Sequence, residues 1–459
     1  MKPPFDIAAD LDTPVSAFLK LAPFEPRFLL ESVEGGERLG RYSFLGFGEG
    51  LEVRLDDEGF HVGAERRPVP GTTAELLAAF RSALEQAPRP GPPIGLPFSG
   101  GLVGVASYDL VRRIERLPSH AAPSAHPEAA FVATRSLLVF DHVSRRIALL
   151  HDGPEAERGA LAREVAAALR GPVPPSAPPG DFSPPVPSMD KETFLAGVER
   201  TKEHIAAGDV YQLVLSICFE STCTLDPFEV YRALRLLNPS PYMYFCRFGD
   251  LAVVGSSPEA LVRLHGREAT LRPIAGTRPR GRDEAEDLAL EAELLADPKE
   301  ASEHVMLVDL ARNDLGRVAV PGTVRVAPYR GIERYSHVMH IVSGVDGLLV
   351  PEADQLDLFA ASFPAGTVVG APKVRAMELI DELEPVQRGL YSGTVGYFGH
   401  DAHMDQAIAI RTLVFQGDRV SYQAGAGVVA DSQPELEHAE VLAKSAALRS
   451  ALELAREGL

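Results

Sequence analysis

Two hydrophobic periods occur along the first 170 residues of the chain. Leu51, Val53 and Leu55 alternate with other residues, which is the period of a β-strand with one buried face. Residues 74–86 are rich in alanine and leucine and predict a helix. Hairpin-like turns separate other apolar runs, so this part is predicted to mix helices and strands in an α+β arrangement.

The pattern after residue 190 indicates one helix followed by a succession of strands. Asp190 is a favourable N-cap, and Phe194, Val198 and Ile205 follow it at helical spacing. Strands are predicted at residues 210–219, 242–248, 251–255, 338–345, 391–398, 406–415 and 420–429. Helices are predicted at residues 284–296, 298–315, 372–383 and 434–457. Short turns join the last three strands, which are therefore expected to form an antiparallel meander.

A proline-rich segment divides these two patterns. Residues 171–189 contain repeated prolines, each of which removes an amide donor and restricts φ, so an extended linker is predicted there. The linker separates an N-terminal part, residues 1–170, from a C-terminal part, residues 190–459.

Composition and charge exclude several classes of protein. Of 459 residues, 45% are hydrophobic and 24% charged, which is typical of a globular protein with a large core. The net charge of −19 disfavours binding to nucleic acid or to anionic membranes. No apolar run reaches the roughly 18 residues of a membrane span, and no signal-peptide pattern is present. Three cysteines without a CxxC pair fit a reducing compartment, so a cytoplasmic location is expected.

Acidic pairs occur on two of the predicted helices. Asp297 is a favourable N-cap, and Glu300 and Glu303 follow it on one helix face. A capping box between Asp297 and Glu300 is the structural alternative. The last helix places Glu437, Glu440 and Lys444 on one stripe, where an ordinary ion pair between Glu440 and Lys444 is the alternative.

Taken together, the two acidic helices predict a cation site. Two helices that each present two carboxylates on one face could converge on a divalent ion. Because Mg²⁺ binds oxygen ligands and keeps several waters, the expected ion is Mg²⁺ rather than zinc.

Two glycine-containing segments resemble nucleotide-binding motifs only superficially. In FPAGTVVGAPK, residues 363–373, the spacing departs from that of a phosphate-binding loop. Gly425, Ala426 and Gly427 lie inside a predicted strand and lack the continuation of a dinucleotide-binding motif. Glycines in a strand instead suggest a bulge or a place where a ligand approaches the backbone.

Eight motifs follow one another in the C-terminal part. They are RPIAGTRPRG (272–281), DPKEASEHVMLVDLARNDLGRV (297–318), SHVMHIVSGV (336–345), FPAGTVVGAPK (363–373), GLYSGTVGYF (389–398), AIAIRTLVF (407–415), QAGAGVVADSQPELEHAE (423–440) and Lys444. Together they resemble the chorismate-utilising enzymes and, within that family, anthranilate synthase component I. LLESVEGGERLGRYSFLG (29–46) is similar to the opening of component I, and NPSPYMYF (238–245) is similar to its tryptophan-binding segment.

The resemblance implies a fold and an activity. The expected fold is α+β, with large antiparallel sheets packed as a β-sandwich and helices outside, and with strands contributed by both parts of the chain. Residues 1–170 would help form an inhibitor site between the two parts, and residues 190–459 would be the chorismate-binding catalytic domain. The implied reaction converts chorismate and ammonia to anthranilate and pyruvate, the first step of tryptophan biosynthesis.

The resemblance also implies roles for individual residues. Glu303 and Glu440 would hold Mg²⁺, with Glu437 as a further or alternate ligand. Glu300 would be the general acid for the departing 4-hydroxyl group, and His340 would serve the aromatising step. The implied substrate-binding and positioning residues are Gly276, Thr277, Thr367, Tyr391, Arg411, Gly425, Ala426, Gly427 and Lys444.

Arg411 also stands out without the resemblance. It lies in a predicted strand between Ala409 and Leu413, where a charged side chain is costly unless it has an anionic partner. The alternative is an arginine whose hydrogen bonds are satisfied within the protein.

One position distinguishes the possible products. Family members that attach nitrogen at C4 commonly carry a lysine where this chain has Ala275. A small residue there favours an external nucleophile at C2, and the tryptophan-binding segment then favours anthranilate synthase. The alternatives are aminodeoxychorismate synthase, isochorismate synthase and a catalytically silent tryptophan-binding regulator.

A feedback site and a partner are implied as well. The residues expected to line the tryptophan site are Glu31, Ser32, Asn238, Pro241, Tyr242 and Met243. No cysteine lies in a Gly-x-Cys-x-Gly elbow of a glutaminase. Ammonia is therefore expected from a glutamine amidotransferase small subunit, component II, in a heterotetramer, or from free ammonium.

Overall fold

The computed structural model describes residues 5–32, 40–91, 95–175, 177–335 and 338–459. Residues 33–39 and 336–337, which belong to two of the motifs, lie outside the described residues. The helices are α1 (Pro14–Lys20), α2 (Thr73–Gln86), α3 (Glu155–Leu169), α4 (Lys191–Ala207), α5 (Pro227–Leu237), α6 (Glu284–Ala296), α7 (Pro298–Gly316), α8 (Gln355–Ser362), α9 (Lys373–Leu383) and α10 (Pro434–Glu457). Short 3₁₀ helices cover Ala22–Phe24, Tyr108–Arg113 and Gly366–Val368.

The strands occur on both sides of the linker and within it. Up to the linker they are β1 (Ile7–Ala8), β2 (Pro26–Glu31), β3 (Tyr42–Asp56), β4 (Gly59–Val62), β5 (Glu65–Arg67), β6 (Gly101–Ala106), β7 (Ala129–Asp141) and β8 (Arg146–His151). The linker contains β9 (Val186–Pro187). The remaining strands are β10 (Gln212–Thr222), β11 (Tyr242–Phe248), β12 (Leu251–Ser257), β13 (Ala260–His265), β14 (Glu268–Leu271), β15 (Ile274–Pro279), β16 (Arg325–Val326), β17 (Gly331–Arg334), β18 (Val338–Val342), β19 (Val345–Leu348), β20 (Gly370–Ala371), β21 (Thr394–Gly399), β22 (His403–Ile408), β23 (Thr412–Gln416) and β24 (Arg419–Val428).

The predicted helices are confirmed as α2, α4, α6, α7, α9 and α10, and two of them begin at the predicted caps. Asp190 accepts the backbone N–H of Thr193 at 2.8 Å at the start of α4. Asp297 accepts the N–H of Lys299 at 2.9 Å at the start of α7. Both caps are local in sequence, which is why the pattern alone could place them.

Twenty-one of the described strands pair antiparallel in one continuous sheet that folds into two layers. The first layer has the order β9-β10-β24-β23-β12-β11-β2-β3. The second has the order β7-β6-β21-β22-β13-β14-β19-β16. The long pair β3 and β7 joins the layers, and its register shifts between Phe47 and Gly50, beside Gly48 with a φ of 77°.

Apolar side chains fill the space between the two layers. Phe28 of β2 and Tyr244 of β11 pack in one buried cluster with Val103 of β6 and Val395 of β21. A larger cluster includes buried side chains of α2, α4, α5, α9 and α10. The predicted fold class, a sandwich of antiparallel sheets with helices outside, is confirmed. In the described part of the chain, no helix is long and apolar enough to cross a membrane.

Both sides of the linker contribute strands to the same sheet. β2 pairs with β11, and β6 pairs with β21. The end of the linker is itself part of the sheet, because β9 pairs with β10 at the edge of the first layer. The boundary at residues 171–189 therefore divides the sequence more clearly than it divides the sheet.

Two of the segments predicted as single strands are each divided between two strands in the structure. Residues 406–415 belong to β22 and β23, which lie in different layers, and Arg411 between them has a φ of 50°. Residues 338–345 divide into β18 and the start of β19. The prediction that Arg411 lies within a strand was therefore wrong. Apolar residues are buried on both sides of each point where the chain passes from one strand to the next. The hydrophobic pattern therefore continues without a break that would mark the end of the first strand.

A separate antiparallel sheet of three strands, β15-β18-β17, lies against α6 and α7. Leu294 of α6 packs with Met339 and Ile341 of β18 in a small core of its own. This small sheet and α7 form one side of the candidate site.

Candidate active site

Helix α7 presents the first pair of predicted carboxylates. The Glu300 carboxylate accepts a hydrogen bond from Arg278 of β15 at 3.4 Å. It also lies beside Gly276, which has a φ of 70° and where a Cβ atom would be 3.0 Å from Glu300 Oε2. Glu300 thus faces the small sheet, and Asp297 caps α7 without the reciprocal bond of a capping box.

Glu303 lies one turn further along α7. Its carboxylate accepts a hydrogen bond from Gln212 Nε2 at 3.4 Å. Burial raises the pKa of Glu303, and the negative charges of Glu300 and Glu440 act in the same direction. Helices α7 and α10 therefore bring their carboxylates close enough to repel one another.

Helix α10 presents the second acidic pair and its lysine. Lys444 Nζ lies 2.7 Å from the Glu440 carboxylate, so the ordinary ion pair is present. The same Nζ donates to the carbonyl oxygen of Gly425 at 3.1 Å. Lys444 therefore connects α10 to the glycine segment of β24 as well as pairing with Glu440.

The predicted convergence of four carboxylates is only partly realised. Among the described residues, no group of three or more histidine, cysteine, aspartate or glutamate side chains gathers closely enough to hold a metal ion. The negative charge of Glu440 nevertheless acts on Glu303 and contributes to raising its pKa. Mg²⁺ is often held by one or two carboxylates plus water and substrate oxygens, so this donor pair fits it.

The glycines of β24 form the floor of the site. In register, Gly425 lies opposite Ser216 of β10, and Gly427 lies opposite Val214. A Cβ atom on Gly425 would be 2.7 Å from the hydroxyl oxygen of Tyr391, and one on Gly427 would be 2.7 Å from Gln212 Nε2. Only glycine leaves room for these two polar groups, whereas the Ala426 side chain is buried in the core on the other face.

Tyr391 lies above Gly425 and is held by a buried ion pair. The guanidinium of Arg388 lies 5.4 Å from the centre of the Tyr391 ring and pairs with Glu384 at 2.7 Å. Burial raises the pKa of Tyr391 to about 12. The phenol therefore stays neutral and able to donate a hydrogen bond near neutral pH.

Arg411 and His340 lie near one another on the other side of the site. Arg411 is solvent-exposed, yet surrounding protein lowers its pKa by desolvation. Within the described residues its side chain makes a single hydrogen bond, to Asn238 Oδ1 at 3.5 Å. An arginine with so few partners in a cleft has most of its donors available for an anionic ligand.

His340 is held as a neutral imidazole. Burial lowers its pKa, and the positive charge of Arg411 adds to this effect. Its Nδ1 lies 3.1 Å from the carbonyl oxygen of Gly276 and 3.1 Å from Thr277 Oγ1. Because a carbonyl only accepts, Nδ1 carries the proton and Nε2 is left as a base.

The sequence analysis missed Glu259 as a functional candidate. It lies between β12 and β13, and burial raises the pKa of its carboxyl group to about 8. The neighbouring Thr367 hydroxyl opposes that rise without outweighing it. Both residues line a small cavity with Leu307 and Leu310 of α7, which lie on the same helix stripe as Glu303.

A signal for Glu259 exists in the sequence but is weak. A single glutamate stands between two apolar runs, residues 251–257 and 260–265, and only the fold shows that its carboxyl group is buried. The sequence analysis also missed Gln212. It begins the β-branched strand β10, and only the fold shows that its side chain donates a hydrogen bond to Glu303.

The predicted inhibitor-site residues gather at the joint of β2 and β11. Met243 lies opposite Glu31 in register, and Asn238 follows α5 just before β11. Tyr242 donates its hydroxyl to Asp405 at 2.9 Å and accepts from Arg263 at 2.7 Å. Ser32 follows β2 directly, and Pro241 precedes β11.

The carboxylate of Glu31 is already engaged within the protein. It is buried and accepts hydrogen bonds from Arg235 at 2.9 and 3.1 Å, and from the hydroxyl of Tyr231. These bonds join β2 to α5. Glu31 therefore has a structural role in this region whatever ligand binds beside it.

The chain is similar over nearly its whole length to known proteins of one family. The chain matches the family described as chorismate binding enzyme over residues 25–450. It is 47% identical to anthranilate synthase component 1 of Thermus thermophilus, over 98% of this chain and 97% of that protein. It is 45% identical to anthranilate synthase component 1 of Synechocystis, over 97% of this chain and 94% of that protein.

Solved structures give the same result. Anthranilate synthase component I from Streptococcus pneumoniae has a TM-score of 0.78 at 33% identity, covering 96% of this chain and 99% of that chain. The menaquinone-specific isochorismate synthase of Escherichia coli has a TM-score of 0.70 at 21% identity, covering 96% and 92%, and shows the shared fold alone. The isochorismate synthase alternative is therefore not favoured. The chain belongs to the chorismate-binding enzyme family and, within it, to the anthranilate synthase component 1 proteins.

Proposed function

We propose that this chain converts chorismate and ammonia to anthranilate and pyruvate. The observation that carries the proposal is the 47% identity, over 98% of the chain, to a relative named anthranilate synthase component 1. The arrangement of carboxylates, polar donors beside two glycines and an exposed arginine suits a substrate with two carboxylates.

Substrate binding would use donors from three directions. Gly425 and Gly427 let the Tyr391 hydroxyl and the Gln212 amide approach the β24 backbone, and the guanidinium of Arg411 can bind a carboxylate with a planar pair of N–H groups. The neutral phenol of Tyr391 and the ammonium of Lys444 supply further donors beside Gly425. These groups would hold the ring and enolpyruvyl carboxylates and orient the ring.

Glu303 and Glu440 would hold Mg²⁺, with Glu437 nearby on α10 as an alternate ligand. The bound ion would offset the charge of the substrate carboxylate and of the acidic helices. The raised pKa of Glu303 supports this assignment, because a desolvated carboxylate beside two others gains most from a cation.

Two groups are suited to move protons. Ammonia would add at C2 while the 4-hydroxyl leaves, and the leaving group needs an acid that is still protonated near neutral pH. Glu259 has that property, with a pKa of about 8, so we add it as a candidate acid beside Glu300. His340, with a free Nε2, is suited to accept the ring proton as pyruvate leaves.

Product identity is the direct test of this function. Chorismate, Mg²⁺ and ammonium should give fluorescent anthranilate and pyruvate in equal amounts. Aminodeoxychorismate or isochorismate as the main product would refute the assignment. Ala275 is buried in β15, where no amine is available to attack the ring, which supports an external nucleophile.

Ammonia would come from a glutamine amidotransferase partner, as the component 1 names of the relatives suggest. The cysteines of this chain do not suit a glutaminase nucleophile, because burial raises the pKa of Cys218 to about 12 and also raises those of Cys223 and Cys246. The purified chain should therefore use ammonium but not glutamine. Glutamine-dependent activity should appear when a component II subunit is added, in a heterotetramer or a smaller assembly.

Feedback inhibition by tryptophan is the second part of the proposal. Ser32 and the segment from Asn238 to Met243 would line that site. Ser32→Ala should weaken inhibition with little change in the uninhibited rate, and unchanged inhibition would remove Ser32 from the site. The free thiols of all three cysteines are consistent with a cytoplasmic location, which we also propose.

A further inference from the structure

A row of four residues crosses the first layer from the proposed inhibitor site to the proposed substrate site. Glu31 of β2 lies opposite Met243 of β11, and Met243 lies opposite Ser256 of β12. Ser256 then donates its backbone N–H to the carbonyl oxygen of Arg411 at 3.1 Å. The row therefore ends on the arginine assigned to the substrate.

Ser256 makes a second bond that connects the same two sites. Its hydroxyl donates to the carbonyl oxygen of Asn238. The side chain of Asn238 in turn accepts from the Arg411 guanidinium at 3.5 Å. Ser256 is fully buried, and a buried hydroxyl group is costly unless it makes a hydrogen bond such as the one to the Asn238 carbonyl.

Arg411 is well placed to respond to a movement of this row. It lies at the crossing between the two layers with a left-handed backbone, φ 50°, and Asn238 is the only described side chain that bonds its guanidinium. Its backbone carbonyl is held by Ser256. A shift of the Asn238 segment of even a few tenths of an ångström would therefore reach the guanidinium through two connections.

We propose that Ser256 is a positioning residue that couples the Asn238–Met243 segment to Arg411, so that an amino-acid inhibitor bound at this segment alters the affinity of Arg411 for a substrate carboxylate. This rests on the proposed function and names the physical connection for its regulation. By thermodynamic reciprocity, chorismate must then weaken tryptophan binding by the same factor.

The test separates coupling from binding. Wild type, Ser256→Ala and the control Ser136→Ala would be assayed with ammonium and Mg²⁺ across chorismate and tryptophan concentrations. Ser136 is a suitable control because it is a buried serine of β7 whose hydroxyl makes one side-chain contact, to His151 of β8, and it belongs neither to the row nor to the two proposed sites. Tryptophan affinity would be measured by calorimetry, without ammonia, in the presence and absence of chorismate.

The wild type and Ser136→Ala should show at least about fivefold coupling between chorismate and tryptophan, the lower end of ordinary allosteric effects. In Ser256→Ala the coupling should fall below about twofold, while the tryptophan affinity without chorismate and the uninhibited kcat remain within about threefold of wild type. Ser256→Cys has a side chain of similar size with a weaker hydrogen-bond donor, so its coupling should be intermediate. This variant also provides the test if Ser256→Ala does not fold.

Several results would overturn the coupling role. They are wild-type coupling in both Ser256 variants, loss of tryptophan binding itself in Ser256→Ala, or absence of tryptophan coupling in the wild type. Failure of the wild type to form anthranilate would count against the proposed function instead, because the calorimetric coupling does not depend on turnover.

Discussion

The proposed substrate site (the substrate side) and the proposed inhibitor site (the inhibitor side) differ in how their charged groups are paired. On the inhibitor side, Glu31 is bound by Arg235 and Tyr231, and Tyr242 is bound by Asp405 and Arg263. On the substrate side, Arg411 has one weak contact, and Glu303 faces like charges. The difference indicates that the proposed substrate site needs bound ligands to balance its charges, whereas the charged groups of the proposed inhibitor site are already paired within the protein and form a framework beside which a ligand could bind.

The largest effect on this comparison should come from the acidic pair. Glu440→Ala, or removal of divalent ions with a chelator, should lower turnover by about 10³-fold, because the pair would no longer hold the cation that offsets the substrate charge. Tryptophan binding should be unchanged. Glu435→Ala, an exposed glutamate in the first turn of the same helix, is the control. Normal Mg²⁺-dependent turnover in Glu440→Ala would contradict the metal assignment.

Glu259 should give the next largest effect. Glu259→Gln should lower kcat by about 10²–10⁴-fold, because an amide cannot donate the proton that the leaving hydroxyl requires. In the wild type, kcat should fall as pH rises through about 8, where the carboxyl group loses its proton. If the kcat of Glu259→Gln still falls as pH rises through about 8, the decrease must come from another group.

The same group makes a prediction about stability. The pKa of Glu259 is raised in the folded chain from 4.5 to about 8, so between these values the folded state keeps a proton that the unfolded state has lost. Raising the pH through this window should therefore destabilise the wild type relative to Glu259→Gln. Thermal unfolding at pH 5 and pH 9 measures the difference, and an identical pH dependence of the two proteins would refute burial of the carboxyl group.

Arg411→Lys should have a smaller effect on substrate binding. Lysine keeps the charge but loses the planar pair of donors, so the KM for chorismate should rise about 10- to 100-fold, the equivalent of one charged hydrogen bond. Arg419→Lys, at the exposed start of β24, should leave the KM unchanged. Equal KM values in wild type and Arg411→Lys would place the substrate carboxylate elsewhere.

The smallest effect on turnover should come from the inhibitor side. Glu31→Gln should lower the free energy of unfolding by about 2–3 kcal/mol, less than the loss of a fully buried ion pair because Arg235 is partly exposed. Turnover at a permissive temperature should stay within about twofold of wild type. The exposed Glu49→Gln in β3 is the control, and a large loss of turnover with normal stability would show that the inhibitor side is not a separate framework.

Local chemistry explains why much of the fold was predictable. Asp190 and Asp297 cap their helices through bonds to residues two or three positions away, so the sequence near each cap was sufficient. The break between β22 and β23 at Arg411 has no comparable local signal, because the residues on both sides of it are buried and apolar. The motif residues were assigned by resemblance, and their distances became visible only in the fold.

A sequence motif does not determine whether a site residue is charged, because the pKa depends on its neighbours in the fold. The pKa of Glu259 depends on burial beside Leu310 of α7 and Thr367, which are distant from it in sequence, and the neutral form of His340 depends on burial and on Arg411. Glu31 illustrates the same limit, because its partners Arg235 and Tyr231 are about 200 positions away.

By itself the sequence predicted six of the ten described helices and several of the strands, because these follow from periodicity and caps. The sandwich class and the candidate site residues were expected from the family resemblance that the ordered motifs carry. Tertiary structure decided which of those residues meet. The alignment of Glu31, Met243, Ser256 and Arg411 in one row is a consequence of strand register, which pairs residues from four separate segments. Register depends on the packing of whole sheets, and for that reason no local pattern could reveal it.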